Sequence, residues 1–139
     1  MSKPVIKGDT IRVPSNQDFL TDVDAFLEGT LRGFGTEESL IADIAISVSE
    51  LVNNAMLHGN QSANDKWVTV TINRKDRKIS IAVKDEGGGF NPDTVADPLA
   101  EENLLKEVGR GIFIVRSLMD KVEVDATSNG TRIVITKEI

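Results

Sequence analysis

A helix with two unlike faces is the feature that most limits what this chain can fold into. At about 100° per residue, Glu50, Asn54 and His58 fall on one side of this helix, and the apolar residues form an arc on the other: Ile41, Ile44, Ala45, Val48, Leu51, Val52, Ala55 and Met56. The spacing of four residues puts Glu50 and Asn54 on adjacent turns, with Cβ atoms roughly 5–6 Å apart, so both can reach one ligand. A solvated helix face has the same pattern, and both interpretations stay open on this motif alone.

Three glycines follow two carboxylates at the end of a predicted strand. The alternating segment Lys78 to Lys84 is typical of a strand with one buried face, and it leads into Asp85, Glu86 and the glycines 87–89. Because glycine has no Cβ, such a loop lets another molecule approach the backbone closely. Asp-x-Gly is also ordinary turn chemistry, so this motif fits a ligand loop and a hairpin equally.

A Gly-x-Gly sequence opens the last predicted helix. Gly109, Arg110 and Gly111 precede an apolar spacing that is core in any interpretation: Ile112, Val115 and Leu118. Free backbone N–H groups at a helix N-terminus, together with the helix dipole and an arginine, favour phosphate binding. A tight turn before a core helix is the alternative.

In this order, the three motifs resemble the N-box and the two glycine boxes of the GHKL ATPase superfamily, whose nucleotide-binding unit is the Bergerat fold. Within that superfamily the chain is most similar to the small anti-sigma-factor serine kinases and their regulatory relatives. The resemblance runs from about Pro14 to the C-terminus. It implies ATP and Mg²⁺ as cofactors, with Glu50 as the general base and Asn54 as the magnesium ligand.

The resemblance also implies roles around the base and ribose of the nucleotide. Asp85 matches the residue that accepts a hydrogen bond from the adenine amino group, and Gly87 and Gly89 let the base and ribose lie against the loop. Thr131 matches a threonine that helps to hold the adenine side, although an ordinary strand residue fits the same position. His58 either interacts with the helix dipole or lines the pocket, and we assign it no catalytic role.

At the phosphate side, the resemblance implies that Gly109, Arg110 and Gly111 wrap the phosphates under a lid. An arginine at a loop–helix junction could equally be exposed to solvent, so both interpretations of Arg110 stay open.

The composition excludes several classes of protein. The 139 residues, 40% of them hydrophobic, fit one domain over residues 1–139 with a single core. With no cysteine and one histidine, disulfides, thiolate metal sites, a thiol nucleophile and a His-based metal cluster are excluded. The net charge of -6 disfavours nucleic acid as a direct partner. Because we find neither ~20 successive apolar residues nor a signal pattern, we expect no membrane contact and a cytoplasmic protein.

The periodicities predict a two-layer α/β sandwich in which helices cover one face of a mostly antiparallel, mixed sheet, and the resemblance implies that this sandwich is of the Bergerat type. We expect Ser15 to cap the first helix, which ends by Gly33 and Gly35, and Thr36 to cap the second, with Gly59 ending it in a left-handed conformation. The polar stretch 91–108 is typical of a lid. The other predicted elements are a strand at Val5–Val13, strands at Trp67–Asn73 and Lys78–Asp85, a helix at Ile112–Met119, and strands at Val122–Ala126 and Thr131–Thr136.

Three functional hypotheses follow. The first is an ATP-dependent serine/threonine protein kinase that phosphorylates an anti-sigma-factor antagonist and sequesters a sigma factor. The second is a partner-switching binding module that uses ATP to set its shape and has little transferase activity, since fold does not fix function. The third is an acidic α/β domain with no nucleotide. The resemblance also implies a possible homodimer.

Overall fold

The described residues form six strands and three α-helices. The computed structural model describes residues 2–63, 65–87, 109–127 and 129–139. The elements in chain order are β1 (Val5–Lys7), β2 (Thr10–Pro14), a 3₁₀ turn (Gln17–Phe19), α1 (Leu20–Gly33), α2 (Glu38–Asn54), a π turn (Ala55–Gly59), β3 (Trp67–Lys75), β4 (Lys78–Lys84), α3 (Gly109–Leu118), β5 (Lys121–Thr127) and β6 (Gly130–Glu138).

All six strands form one sheet, in the order β1-β2-β3-β4-β6-β5, and each neighbouring pair is antiparallel. The register aligns apolar residues on one face: Ile81 pairs with Ile72 on one side and with Ile135 on the other. All three are buried, whereas the alternate positions of β3 and β4 are mostly polar and are more exposed. The period of two therefore assigns one face of the sheet to the core, and the predicted two-layer α/β class is confirmed.

The helices pack on the apolar face of the sheet. Helix α2 lies between α1 and α3 and contacts both, and the predicted apolar arc of α2 belongs to the core cluster or packs against it. Burying each Leu, Ile or Met side chain stabilises the fold by about 1.5–3 kcal/mol. By length and composition, Glu38–Gly59 could cross a membrane, but core helices of soluble proteins pass the same test, and 44% of its most apolar window is buried inside the protein.

The N-terminal segment forms a hairpin, not the single strand that the sequence predicted. Gly8 has a φ of 59°, a left-handed conformation that glycine adopts without strain. The turn pairs β1 with β2, with Val5 opposite Arg12. The apolar alternation in this segment does not reveal the break, because both strands carry similar residues.

The predicted cap of the first helix is wrong. Asn16 caps the 3₁₀ turn that leads into α1, because its side chain accepts the N–H of Asp18, and Phe19 occupies the N-cap position of α1 without a side-chain capping hydrogen bond. Ser15 is instead buried, and its hydroxyl donates to the carbonyl of Lys66 at 2.8 Å. Helix α1 therefore begins later than expected, at Leu20 after the 3₁₀ turn, and Ser15 instead joins two segments of the chain.

The predicted cap of the second helix is also wrong. Glu37 occupies the N-cap position and makes no side-chain capping hydrogen bond. The hydroxyl of Thr36 is buried without a partner among the described residues. The end of α1 agrees with the prediction, since it stops at Gly33 and Gly35 has a φ of 77°.

The end of α2 departs from regular helix geometry. After Asn54 the chain forms the π turn, in which the N–H of Asn60 donates to the carbonyl of Ala55 at 2.8 Å. The left-handed residues are Gln61 and Ser62, not Gly59. Gly59 is therefore required for a reason other than its backbone angle. Single-turn π segments inside helices are frequent at functional sites.

The remaining predicted elements agree with the structure apart from their ends. Strands β3, β5 and β6 extend one or more residues beyond the predicted bounds, and α3 already includes the Gly-x-Gly sequence. The expected lid, residues 91–108, lies outside the described residues.

Candidate active site

Asp85 lies directly after β4 and is buried. Its Oδ1 accepts the N–H of Gly87 at 3.1 Å and the N–H of Thr131 at 3.0 Å. The N–H of Asp85 in turn donates to the carbonyl of Thr131 at 3.0 Å. The β4–β6 pairing thus brings together two residues that the sequence separates widely, and Thr131 contributes its backbone to the position of the carboxylate.

Three glycines pack around this carboxylate. A Cβ on Gly59 would lie 2.1 Å from Oδ2 of Asp85, one on Gly87 would lie 1.8 Å from the carbonyl oxygen of Gly59, and one on Gly130 would lie 2.2 Å from the carbonyl oxygen of Asp85. No real Cβ approaches so closely, so side chains are excluded at all three positions. Gly87 was predicted to matter, whereas Gly59 and Gly130 were interpreted as a helix stop and a hairpin turn. No local pattern reveals their contact with Asp85.

The environment of Asp85 shifts its protonation. Burial raises the pKa of the Asp85 carboxyl above its usual value, while the hydrogen bonds from the Thr131 and Gly87 N–H groups and the charge of Lys66 oppose that increase. Loss of water is the larger effect. The carboxyl is thus a desolvated acceptor, and an N–H donor of a ligand would bind it strongly because water no longer competes.

Two adjacent asparagines near the end of α2 differ in their bonding. Asn53 accepts a hydrogen bond from the side chain of Gln17 at 2.7 Å. Nδ2 of Asn54 is buried and has no hydrogen-bond partner among the described residues. Leaving a buried polar atom unpaired costs about 1–3 kcal/mol. Among the described residues, the amide of Asn53 is therefore paired, whereas the amide nitrogen of Asn54 is not.

Glu50 is half-buried one turn before Asn54 and makes no hydrogen bond or ion pair with another residue that the structure describes. His58 is half-buried within the π turn. Because the π turn changes the angular step between residues, the regular wheel that put His58 on the face of Glu50 and Asn54 stops applying after Asn54.

The predicted phosphate-binding residues begin α3. Gly109, Arg110 and Gly111 are its first three described residues, and α3 packs along α2. The second glycine box and the polar face of α2 therefore belong to adjacent helices. Gly89 lies outside the described residues.

The geometry fits a magnesium–nucleotide pair better than a metal held by protein alone. Within the described ranges, no group of three or more His, Asp or Glu side chains could hold a metal ion. Mg²⁺ in nucleotide sites is usually bound by one or two protein oxygens, together with phosphates and water. The Oδ1 atom of Asn54 is an amide oxygen of the kind that could serve as one such ligand.

Sequence reasoning also missed Asn60. This residue is fully buried, and its side chain hydrogen-bonds to the backbone N–H of Glu86 at 2.8 Å. The apolar periodicity ends before it, and a polar residue after a helix is commonly assigned to solvent. The structure instead places it beside the loop that carries Asp85.

Comparison with known proteins gives a family match over most of the chain. The model of the histidine kinase-like ATPase domain family matches residues 13–137. Over 136 residues, the chain is 32% identical to the serine-protein kinase RsbW of Staphylococcus aureus (strain bovine RF122 / ET3-1), covering 93% of this chain and 85% of the relative.

Solved structures show the same fold at lower identity. The RsbU and RsbW domains of Rv1364c from Mycobacterium tuberculosis superpose with a TM-score of 0.66 at 21% identity, covering 99% of this chain and 32% of that one. The histidine kinase domain of the blue-light activated histidine kinase EL346 from Erythrobacter litoralis gives a TM-score of 0.56 at 19% identity, covering 90% of this chain and 61% of the other. The chain thus spans about a third of the first of these structures and three fifths of the second.

Proposed function

The chain belongs to the family of histidine kinase-like ATPase domains, and we propose that it is a serine/threonine protein kinase that phosphorylates an anti-sigma-factor antagonist and sequesters a sigma factor. The family expected from the motifs is confirmed, and the relatives are named serine-protein kinases, the enzyme class predicted from the sequence. The observation that carries the assignment of the site is the buried amide nitrogen of Asn54, which has no partner among the described residues and lies on the helix that also reaches Asp85.

A single helix links the two ends of the proposed site. Glu50 and Asn54 lie on α2, which continues into the π turn, and Gly59 of that turn touches Asp85. At about 1.5 Å per residue, Glu50 and Gly59 are separated by roughly 13 Å along the helix axis. This length is of the order of an extended nucleoside triphosphate, so one nucleotide can contact both ends.

At the base end, Asp85 accepts a hydrogen bond from the adenine amino group. The N–H groups of Gly87 and Thr131 already occupy its Oδ1, which fixes the carboxylate before the nucleotide arrives. Because Gly59, Gly87 and Gly130 carry no side chains, the carboxylate is held by backbone from three segments. Gly89 would complete the contact with the base and ribose.

At the phosphate end, Asn54 would hold Mg²⁺ through its amide oxygen. When bound, Mg²⁺ would offset the negative charge that develops on the phosphate oxygens. The backbone N–H groups of Gly109 and Gly111 at the start of α3 are suited to bind phosphate oxygens, and Arg110 adds a positive charge. His58 lies within the π turn, and we assign it no part in the proton transfer.

Glu50 accepts the proton of the incoming serine hydroxyl. Its carboxylate is half-buried and makes no ion pair with the described residues, so no neighbouring cation holds it away from the substrate. General-base assistance of this kind typically contributes about 10²–10⁴-fold to a rate. We further propose that the protein works in the cytoplasm, possesses the homodimeric state that the resemblance implies, and contacts neither nucleic acid nor membrane directly.

The test is phosphate transfer from labelled ATP with Mg²⁺ and a candidate antagonist protein. We expect phosphoserine with the wild type and a loss of roughly 10²-fold or more with Glu50→Gln, because the amide cannot accept the proton. Glu38→Gln is the matched control on the same helix, since Glu38 only forms an exposed ion pair with Arg32. Equal transfer by Glu50→Gln and wild type would refute the assignment of the base.

Two further measurements, made beside the transfer assay, distinguish the kinase from the partner-switching module and from a domain that binds no nucleotide. If partner affinity differs between ADP and ATP while no phosphate moves, the binding module is correct and the kinase is not. If Mg-ATP leaves the midpoint of thermal unfolding unchanged, neither is correct, because a bound ligand must stabilise the fold by RT ln(1 + [L]/Kd).

A further inference from the structure

We propose that Asn60 is a positioning residue that holds the loop of Asp85 against the π turn, and so determines how well the site distinguishes adenine from other bases. The inference rests on the proposed function, because it concerns the nucleotide that the site would bind. Asn60 itself touches no nucleotide in this proposal and acts through Asp85.

The side chain of Asn60 is fully buried and fully bonded. Its Nδ2 donates to the hydroxyl of Ser15 at 2.8 Å and to the carbonyl of Trp67 at 3.1 Å, and its Oδ1 accepts the N–H of Glu86 at 2.8 Å. A backbone N–H can only donate and a carbonyl can only accept, so these two partners fix the orientation of the amide. Asn60 therefore has one allowed arrangement.

These bonds join four chain segments at one point. Ser15 precedes α1, Asn60 follows the π turn, Trp67 begins β3, and Glu86 follows Asp85. Ser15 adds a second connection, since both its hydroxyl and its N–H donate to the carbonyl of Lys66. Within the part of the chain that the structure describes, no backbone hydrogen bond links the π turn to residues 85–87. The Asn60 amide provides the hydrogen bond between them.

The position of this bond explains its effect on Asp85. Gly59 contacts the Asp85 carboxylate. The residues that follow these two in the chain, Asn60 and Glu86, are joined by the hydrogen bond from the Glu86 N–H to the Asn60 side chain. The contact alone would let the loop move away, because it is a close approach without attraction. The amide supplies the attraction and thus sets the distance between the helix end and the carboxylate.

The experiment combines variants with two nucleotides that differ at one group. ATP is compared with purine riboside triphosphate, which lacks the 6-amino group that Asp85 would bind. Calorimetry on the full chain should show that Asn60→Ala weakens ATP binding about tenfold, while binding of the analogue changes less than twofold, as expected for residues coupled through one contact. The KM for ATP should rise by the same factor, with kcat within twofold.

Ser15→Ala is the matched control, because it removes a bond to Asn60 but leaves the bond to Glu86 intact. We expect it to lower the midpoint of thermal unfolding without changing the ratio of the two affinities. Asn60→Asp keeps an acceptor for the Glu86 N–H and should restore the preference for ATP at reduced stability. If Asn60→Ala lowers both affinities equally, or only lowers the unfolding midpoint, Asn60 is merely structural and the inference is wrong.

A measurement on the wild type keeps the inference testable if Asn60→Ala does not fold. Hydrogen exchange at the Glu86 amide should be as slow as at buried strand amides in the unliganded protein, and rapid exchange there would overturn the proposal. The two proposals fail differently. If the wild type binds neither nucleotide, the proposed function fails; if it prefers ATP but the variant keeps that preference, only the role of Asn60 fails.

Discussion

The two ends of the proposed site differ in how many of their polar side-chain groups already have hydrogen-bond partners within the protein. At the base end, Asp85 is bonded to two backbone N–H groups and enclosed by glycines. At the phosphate end, the amide of Asn54 is buried without a partner and Glu50 forms no ion pair among the described residues. The proposed base end is therefore already formed without a ligand, whereas we expect the ligand to complete the proposed phosphate end.

This difference has a physical reason. A carboxylate buried without donors would be strongly destabilising, so the fold supplies N–H groups to Asp85 and holds it rigidly. A neutral amide is less costly to leave unpaired. The unpaired atom of Asn54 is the Nδ2 donor, so the proposed contact with the metal would use the other amide atom, Oδ1. Preorganisation at the base end lowers the ordering cost of binding.

The largest effect that would test this contrast is expected at Asn54. Asn54→Ala should lower the rate of phosphate transfer at least about 100-fold, because magnesium contributes several kcal/mol of charge stabilisation in such reactions. The free energy of unfolding without ligand should be unchanged or higher, since an unpaired buried group is removed. Both are measurable by transfer assays with varied Mg²⁺ and by urea denaturation.

Asn53→Ala is the control for this substitution. Asn53 is the adjacent asparagine, and its hydrogen bond to Gln17 is exposed. We expect a rate within twofold of wild type. If both variants lose activity equally, the unpaired amide does not mark the metal ligand.

A smaller effect is expected at the preformed end. Asp85→Asn should weaken ATP binding about 10–100-fold, since hydrogen bonds to charged groups contribute about 1.5–3 kcal/mol, and isothermal calorimetry measures this loss. Asp76→Asn, in the exposed turn between β3 and β4, is the control and should bind ATP as the wild type does. An unchanged affinity in Asp85→Asn would show that the carboxylate does not bind the base.

The pH dependence of stability gives Asp85 a second signature. Because burial raises the pKa of the folded carboxyl above its usual value of 3.8, the folded state binds more protons than the unfolded state between the two values. The contribution of Asp85 to stability therefore falls as pH rises through that window. Urea denaturation of the unliganded protein at a series of pH values should show the free energy of unfolding of Asp85→Asn rising relative to that of the wild type as pH increases through the window. Above the window, the difference between the two free energies should stay constant. A relative loss with rising pH would contradict the raised pKa.

The smallest effect concerns the glycines. Gly87→Ala should lower the free energy of unfolding by about 1–3 kcal/mol, because its Cβ would overlap the carbonyl oxygen of Gly59. Gly29→Ala is the matched control in α1, where a Cβ meets nothing within 4 Å, and it should stabilise by about 0.5–1 kcal/mol. Thermal unfolding of both variants tests this. Equal shifts would show that the packing around Asp85 is looser than the contacts indicate.

Much of the fold was predictable from local pattern. The apolar arc of α2 and the alternation in β3 and β4 identified the buried faces correctly, and the residues of the two-layer core followed from them. The errors occurred at element ends. Ser15 and Asn60 have the polar character of cap and turn residues, but they hydrogen-bond to each other in the interior. The alternation of apolar residues predicted one continuous strand at Val5–Val13, whereas the structure has a turn at Gly8 that divides it into two strands.

The candidate site divides in the same way. Asp85 and Asn54 stood out as polar groups in apolar surroundings, but their local patterns were ambiguous between solvent and ligand. The structure separated Asn54 from Asn53 by their bonding. Their assigned roles, with those of Glu50 and Thr131, remain predictions that the variants above test.

The sequence by itself determined which faces are apolar and which chemical groups are available, because period and residue type are local properties of a helix or strand. Only the tertiary structure decided that Gly59, Gly87 and Gly130 meet at one carboxylate and that Asn60 joins the helix end to its loop. Such close contacts depend on how the elements pack against one another. Segments that are distant in the chain share no local sequence pattern from which their contact could be predicted.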